Sequence, residues 1–170
     1  FVGIRDMFWD PKEYAAPAEF RRFCGPLVSL ARLYRRVFTH DETGVIPIEA
    51  YHYGQTPLAH VAAVWRVTDR AGREVEGGRF PDVTLPLDGG IPVGSATLHF
   101  EKYPVPGQFR LTVRFEGTPS ENAWNFWVYP ARTDIKPAAG VLVTRHFDGS
   151  ARETLRRGGK VLYFIADELS

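Results

Sequence analysis

A chain of 170 residues, 44% hydrophobic and 24% charged, is long enough to bury one large core, or one domain together with part of another. No apolar run approaches the roughly 20 residues that a membrane-spanning helix needs, so no membrane role is expected. With 21 Lys and Arg against 20 Asp and Glu, the net charge of +1 provides no global field to draw in a nucleic-acid backbone.

The opening residues interleave Phe1, Val2, Ile4, Met7, Phe8 and Trp9 with polar ones and resemble neither a signal peptide nor a charged targeting segment. An apolar segment of this kind is expected to pack against structure upstream of it. Residues 1–26 therefore read as chain leaving an upstream domain, with Phe8 and Trp9 as candidate contacts. Within them, residues 17–23 predict a helix of little more than two turns, with a proline near its start and Gly25-Pro26 as its stop. The basic residues Arg21, Arg22, Arg32, Arg35 and Arg36 are followed at once by Asp41 and Glu42, which marks a solvated or interface face rather than a nucleic-acid site. Cys24 is the single cysteine, which excludes an internal disulfide and a cysteine-based zinc site. His40, His52, His60, His99 and His146 are spread singly, without the close pairing of metal ligands, so neither a metal nor another cofactor is expected.

Residues 27–38 read as extended chain leading into a first strand. Beyond Thr39, strand-like segments separated by Gly, Pro and Asp recur at intervals of very roughly 8 to 12 residues, as in antiparallel sandwiches. Strands are expected at 45–53, 60–68, 73–80, 92–101, 108–116 and 122–129, about seven with the leading segment. The alternation is cleanest in 108–116, where Phe109, Leu111, Val113 and Phe115 share one face and Arg110, Thr112, Arg114 and Glu116 the other. Asp69-Arg70-Ala71-Gly72 has the composition of a tight hairpin turn, whereas the two prolines in 103–107 cannot continue a ladder and mark a loop at the sheet end. Trp65, in phase with Val61, Ala63 and Val67, is expected in the core. Residues 27–130 thus predict a mainly β domain, an antiparallel β-sandwich of immunoglobulin-like type.

After Pro130 the pattern changes. Residues 131–140 form a Pro/Ala/Gly linker, and 141–144, 148–157 and 160–165 read as strand, helix and strand, with Asp148 or Ser150 as cap and Gly158-Gly159 as stop. Sixteen residues separate the two apolar runs, enough for the helical crossover that joins parallel strands. Because a parallel sheet is normally covered by helices on both faces, residues 141–170 are expected to be an incomplete α/β unit, one βαβ and no more.

Chemistry is sparse along the chain. It contains no phosphate-cradling glycine loop, no Gly-x-Ser-x-Gly elbow and no His-Glu-x-x-His helix. A carboxylate pair of the glycosidase kind would have to combine Glu42 with Glu116 or Glu121, which is the basis for an alternative reading as a stand-alone glycosidase. In the aromatic run 124–129, Trp124, Phe126 and Val128 share one strand face, and Trp127 and Tyr129 the opposite one with Asn125. The second face is either a sugar-stacking platform or an interface to a neighbouring domain.

Four segments carry a resemblance: VGIRDMFWDPK at 2–12, FRRFCGPLVSLAR at 20–32, VFTHDET at 37–43 and ENAWNFWVYP at 121–130. As a set they resemble glycoside hydrolase family 2, the family of β-galactosidases, β-glucuronidases and β-mannosidases, in the region where the chain leaves the catalytic barrel and enters an immunoglobulin-like sandwich. The resemblance covers most of residues 1–130. It implies a larger retaining β-glycosidase whose acid/base and nucleophile glutamates lie on barrel strands upstream, so no catalytic residue is assigned in this chain and the chain alone is expected to be inactive. The implied role is a non-catalytic accessory module. Its partners would be the catalytic barrel and a following α/β domain of the same polypeptide, through Phe8, Trp9, Trp127 and Tyr129. The alternative is a carbohydrate-binding module in which Trp127 and Tyr129 stack on pyranose rings.

Overall fold

The structure, a computed structural model, describes residues 3–12, 16–132 and 136–164. Phe1, Val2 and Ile165, counted above among the apolar residues of the two ends, lie outside the described residues. Two compact units are present, Phe1–Ala131 and Arg132–Ser170.

In the first unit, residues 4–12 fold back on themselves through a bridge between Arg5 and Pro11, with Asp6 accepting from the backbone N–H groups of Phe8 and Asp10. Helix α1 (Pro17–Cys24) starts on its proline and stops where Gly25 turns extended, the conformation imposed on a residue that precedes proline. Ten strands follow: β1 (Leu27–Ala31), β2 (Val37–Thr39), β3 (Thr43–His52), β4 (Leu58–Val61), β5 (Ala63–Asp69), β6 (Glu74–Arg79), β7 (Val83–Leu85), β8 (Asp88–His99), β9 (Gly107–Phe115) and β10 (Glu121–Tyr129). Seven of them have five residues or more, the number that the turn spacing predicts, and β2, β4 and β7 are short additions.

These strands make a three-stranded sheet in the order β1-β3-β8, a five-stranded sheet in the order β2-β10-β9-β5-β6, and a small ribbon of β4 with β7. Every pairing in the two larger sheets is antiparallel except that of β2 with β10, which is parallel. The expected extended segment is thus two strands: β1 joins one sheet, and the chain then crosses so that β2 edges the other.

Two layers form because each long strand alternates. Phe109, Leu111, Val113 and Phe115 of β9 are all buried while Arg110 and Arg114 are exposed, and Ile46, Ile48 and Ala50 of β3 are buried while Val45 and Pro47 are not. Removing these faces from water supplies the main favourable free energy, about 1.5–3 kcal/mol for each fully buried large apolar side chain. At the centre the rings of Phe38 and Phe100 lie 4.7 Å apart, with Phe126 about 6.0 Å from each. Ser29 Oγ donates to the Val113 carbonyl and Asn122 Nδ2 to the Ser29 carbonyl, so a polar pair also crosses between the sheets.

Several boundaries differ from the sequence expectation, each for a local reason. Residues 60–68 are not one strand: β4 ends at Val61 and β5 begins at Ala63, and His60, next to last in β4 before that break, takes a left-handed φ of 53°. Strand β8 begins at Asp88 and absorbs Pro92 at a bulge, where Ile48 faces Gly94 and Glu49 faces Pro92; a bulge is one of the few places where a sheet accepts proline. Its far end closes in a 3₁₀ turn at Phe100–Lys102. Trp65 is half-buried against the core, with Nε1 lying 2.8 Å from where a Cβ on Gly78 would stand. The predicted hairpin joins β5 to β6, with Gly72 at φ 79° and Asp69 Oδ1 accepting from the N–H groups of Ala71 and Arg73.

In the second unit β11 (Val141–Thr144) and β12 (Lys160–Tyr163) pair in parallel with α2 (Gly149–Arg156) between them, the βαβ arrangement that the apolar runs predict. Asp148 caps the helix by accepting from the N–H groups of Ser150 and Ala151. Gly158 at φ 80° follows its end.

Candidate functional site

Strand β10 positions the aromatic run. Phe126 and Val128 are fully buried on its inner face, which places Trp127 and Tyr129 on the outer face of the five-stranded sheet. Trp127 is half-buried between Gln108 of β9 and Val37 of β2, its register partners; Tyr129 lies opposite Thr39 and is 45% exposed. The sheet keeps these two rings in phase. Chain reversals at its end supply the walls beside them.

Those walls come from the β5–β6 hairpin and the proline loop before β9. Together with Trp127 and Tyr129, residues Arg70, Arg73, Pro104, Pro106 and Gln108 line an open groove of about 590 Å³. Asp69, at the same rim, is committed to the turn: the backbone N–H of Arg73 first, then the Arg73 side chain and the Ala71 N–H, hold its carboxyl below the usual range against the opposing effect of desolvation. Among the described residues, the side chains of Arg70 and Gln108 hold no hydrogen bond and remain available as donors. Two aromatic rings beside a guanidinium and an amide can hold the apolar face of a ring while bonding hydroxyls at its edge.

The four residues singled out from the sequence do not form one cluster by any described contact. Trp127 and Tyr129 share the groove; Phe8 and Trp9 stand in the segment 4–12, 77% and 76% exposed. Trp9 has a left-handed φ of 69°, and its carbonyl accepts from Arg5 Nη1.

The carboxylates of the alternative reading are far apart. Glu42 bonds the Thr39 N–H and Arg35 Nη2, and Thr39 pairs with Tyr129 at the last residue of β10. Glu121 is the first residue of that strand, eight residues and about 26 Å away at the rise of a β-strand. Glu116 lies at the same far end, salt-bridged to Arg79. Inverting and retaining glycosidases hold their two carboxyls within about 10 Å, so Glu42 pairs with neither. Its side-chain bond to Arg35, then the Thr39 N–H, hold it below the usual carboxylate range.

A second aromatic pair escaped the sequence reading. Tyr51 and Tyr53, on the outer face of the three-stranded sheet, converge over Gly89: a Cβ there would lie 2.6 Å from Tyr53 Oη and 2.9 Å from Tyr51 Cε1. Arg32 Nη2 joins Glu49 and Tyr51 at 2.7 and 2.8 Å. The period-two alternation of Glu49, Tyr51 and Tyr53 was the available signal; Gly89, which admits the rings, is more than thirty residues distant.

One family model, described as Domain of unknown function (DUF8488), matches residues 42–130. No curated protein matches the chain. Solved structures similar to it include a candidate β-galactosidase of Bacteroides fragilis, 14% identical over 59% of this chain and 15% of that one, with a TM-score of 0.37. A β-glucuronidase of Parabacteroides merdae with glycerol in its active site is 14% identical over 60% of this chain and 13% of that one, at 0.36. AvmM, which catalyses macrocyclization in alchivemycin A biosynthesis, is 11% identical over 65% of this chain and 93% of that one, at 0.34. The chain spans only 15% and 13% of the length of the first two.

Proposed function

We infer that this chain, which belongs to the DUF8488 family, serves as a non-catalytic accessory β-sandwich module of a larger glycoside hydrolase. The observation that carries this reading is the two-sided use of β10: its inner face is a completed core, while its outer face keeps Trp127 and Tyr129 at a groove, where a neighbouring domain of the same polypeptide would cover them. The sequence resemblance of the four segments supports the glycosidase context, and the strand order β2-β10-β9-β5-β6 with a parallel β2 supports the immunoglobulin-like description. The barrel would supply the chemistry. Assayed alone on nitrophenyl β-galactoside and β-glucuronide, the chain should show no turnover, whereas a polypeptide that includes the upstream barrel should hydrolyse a β-glycoside. Turnover by the 170-residue chain itself would overturn the reading.

A second reading, glycan binding at the same groove, is favoured by the unengaged donors of Arg70 and Gln108 beside the two rings. Titration with oligosaccharides tests it: saturable binding lost in Trp127→Ala supports it, and the absence of binding to any β-linked glycan removes it.

A further inference from the structure

At the end of the sandwich where β3 finishes, a cleft of about 370 Å³ opens between the α1–β1 junction, the loop after β3 and the β9–β10 turn. Its walls are largely apolar, from Pro26, Leu27, Leu58 and Pro119, and at its base lies His52, only 3% exposed. The imidazole is oriented by a single bond: Nδ1 stands 3.3 Å from the Leu85 carbonyl oxygen. A carbonyl only accepts, so Nδ1 carries the proton and Nε2 of the neutral ring is an acceptor. Nε2 has no hydrogen-bond partner among the described residues.

The backbone keeps that nitrogen accessible. A Cβ on Gly54, another lining residue, would stand 2.7 Å from His52 Nε2, so any side chain at 54 would occupy the space in front of the acceptor. Gly54 does not take a left-handed φ, so its lack of a side chain serves space rather than backbone conformation. The neighbouring hydroxyl of Thr118 is already committed, donating to the Phe115 carbonyl and accepting from the Ser120 N–H. An oriented acceptor that opens on an apolar cleft of ligand-binding size, with no hydrogen-bond partner among the described residues, is the combination that small-molecule sites use to fix orientation.

We propose that this cleft binds a neutral, ring-sized ligand with one hydrogen-bond donor, of the phenol type, whose hydroxyl donates to His52 Nε2 while its ring packs on Leu27, Leu58 and Pro119. The lone pair at the base selects a donor, and a sugar would leave hydroxyls against the apolar walls, where Arg21, Gln55 and Thr56 are the polar lining beside them. The site is separate from the Trp127 groove and does not depend on the accessory role.

Heteronuclear NMR of the 170-residue chain tests this with phenol and with toluene, its donorless isostere. Phenol should saturably shift the His52 imidazole nitrogens and the Gly54 and Ser120 amides, with toluene about fivefold to tenfold weaker, the loss of one neutral hydrogen bond. Gly54→Ala should abolish phenol binding. His52→Phe, which keeps a ring but removes the acceptor, should erase the preference for phenol over toluene and keeps the proposal testable if the alanine variant folds poorly. Equal binding of phenol and toluene to the unaltered chain, no saturable shift, or shifts centred elsewhere would overturn it.

Discussion

Glu76 Oε1 lies 2.6 Å from His99 Nδ1, and this contact fastens β6, the edge of the five-stranded sheet, to the last residue of β8, the edge of the three-stranded one. The carboxylate faces inward, since Glu76 is the register partner of the fully buried Val67. Its second oxygen accepts from the His99 N–H at 3.0 Å and from Tyr103 Oη at 2.9 Å. Burial, and then the neighbouring carboxylate, hold the Tyr103 phenol well above its ordinary range, so it stays a donor. One acidic side chain therefore closes an edge that apolar packing leaves open.

The protonation of Glu76 should set part of the acid stability of the sandwich. Desolvation pushes its carboxyl up, but the bonds from His99 and Tyr103 together outweigh it, and the group sits below its ordinary value of 4.5. A lowered native pKa means that the stabilisation is complete above that ordinary value and is lost as pH falls below it through the native one. Urea titrations should find Glu76→Gln less stable than the unaltered chain by about 1–3 kcal/mol near pH 7, the range of a charge-assisted hydrogen bond. The difference should shrink as the pH is brought below about 4. A constant gap across that range would show that the charge of Glu76 contributes nothing.

Overpacking should be costly at Gly44. A Cβ at this position would lie 2.6 Å from Phe100 Cζ and 3.1 Å from Cε2. The Phe100 ring cannot swing aside, because it is fully buried among Phe38, Tyr103 and Phe126, at 4.7, 5.5 and 6.0 Å. Gly44→Ala should therefore cost about 1–3 kcal/mol, whereas the exposed neighbouring Thr43→Ala should stay within about 0.5 kcal/mol. Denaturant unfolding followed by tryptophan fluorescence reads both.

How legible these features are in the sequence depends on how local their causes are. Strand β9 is plain because its inward Phe109, Leu111, Val113 and Phe115 and outward arginines repeat with the pleat, and the β5–β6 hairpin is plain because Asp69 and Gly72 form the turn themselves. The break at Ala62 has no such signal, since it falls within the apolar stretch Val61-Ala62-Ala63-Val64, and the left-handed φ of His60 beside it is one that few non-glycine residues adopt. Strand β7 is three residues lying between Pro81 and Pro86, too short for any period to show. Of the two clefts, the Trp127 groove is half legible, since alternation puts both rings on one face but the loops that wall it arrive from 69–73 and 104–108. The His52 cleft is illegible: it requires residues 26, 52, 54, 85 and 119 to meet, and a lone histidine in a strand gives no hint of what its second nitrogen faces.

The two faces of β10 should separate stability from contact. Phe126 is fully buried, its ring within 6.3 Å of those of Phe38, Phe100, Tyr103 and Phe109. Truncation to alanine would leave a cavity in that aromatic cluster and should cost about 3–5 kcal/mol. Tyr129, three residues on and facing outward, is 45% exposed and lies at the groove rim, so Tyr129→Ser should change the stability of the chain by no more than about 0.5 kcal/mol. If the outer face is covered by a neighbouring domain of a longer polypeptide, the same Tyr129→Ser should lower the melting temperature of that longer protein while leaving the isolated chain unchanged. Differential scanning calorimetry of the two lengths side by side makes the comparison, and equal insensitivity in both would assign Tyr129 no contact role.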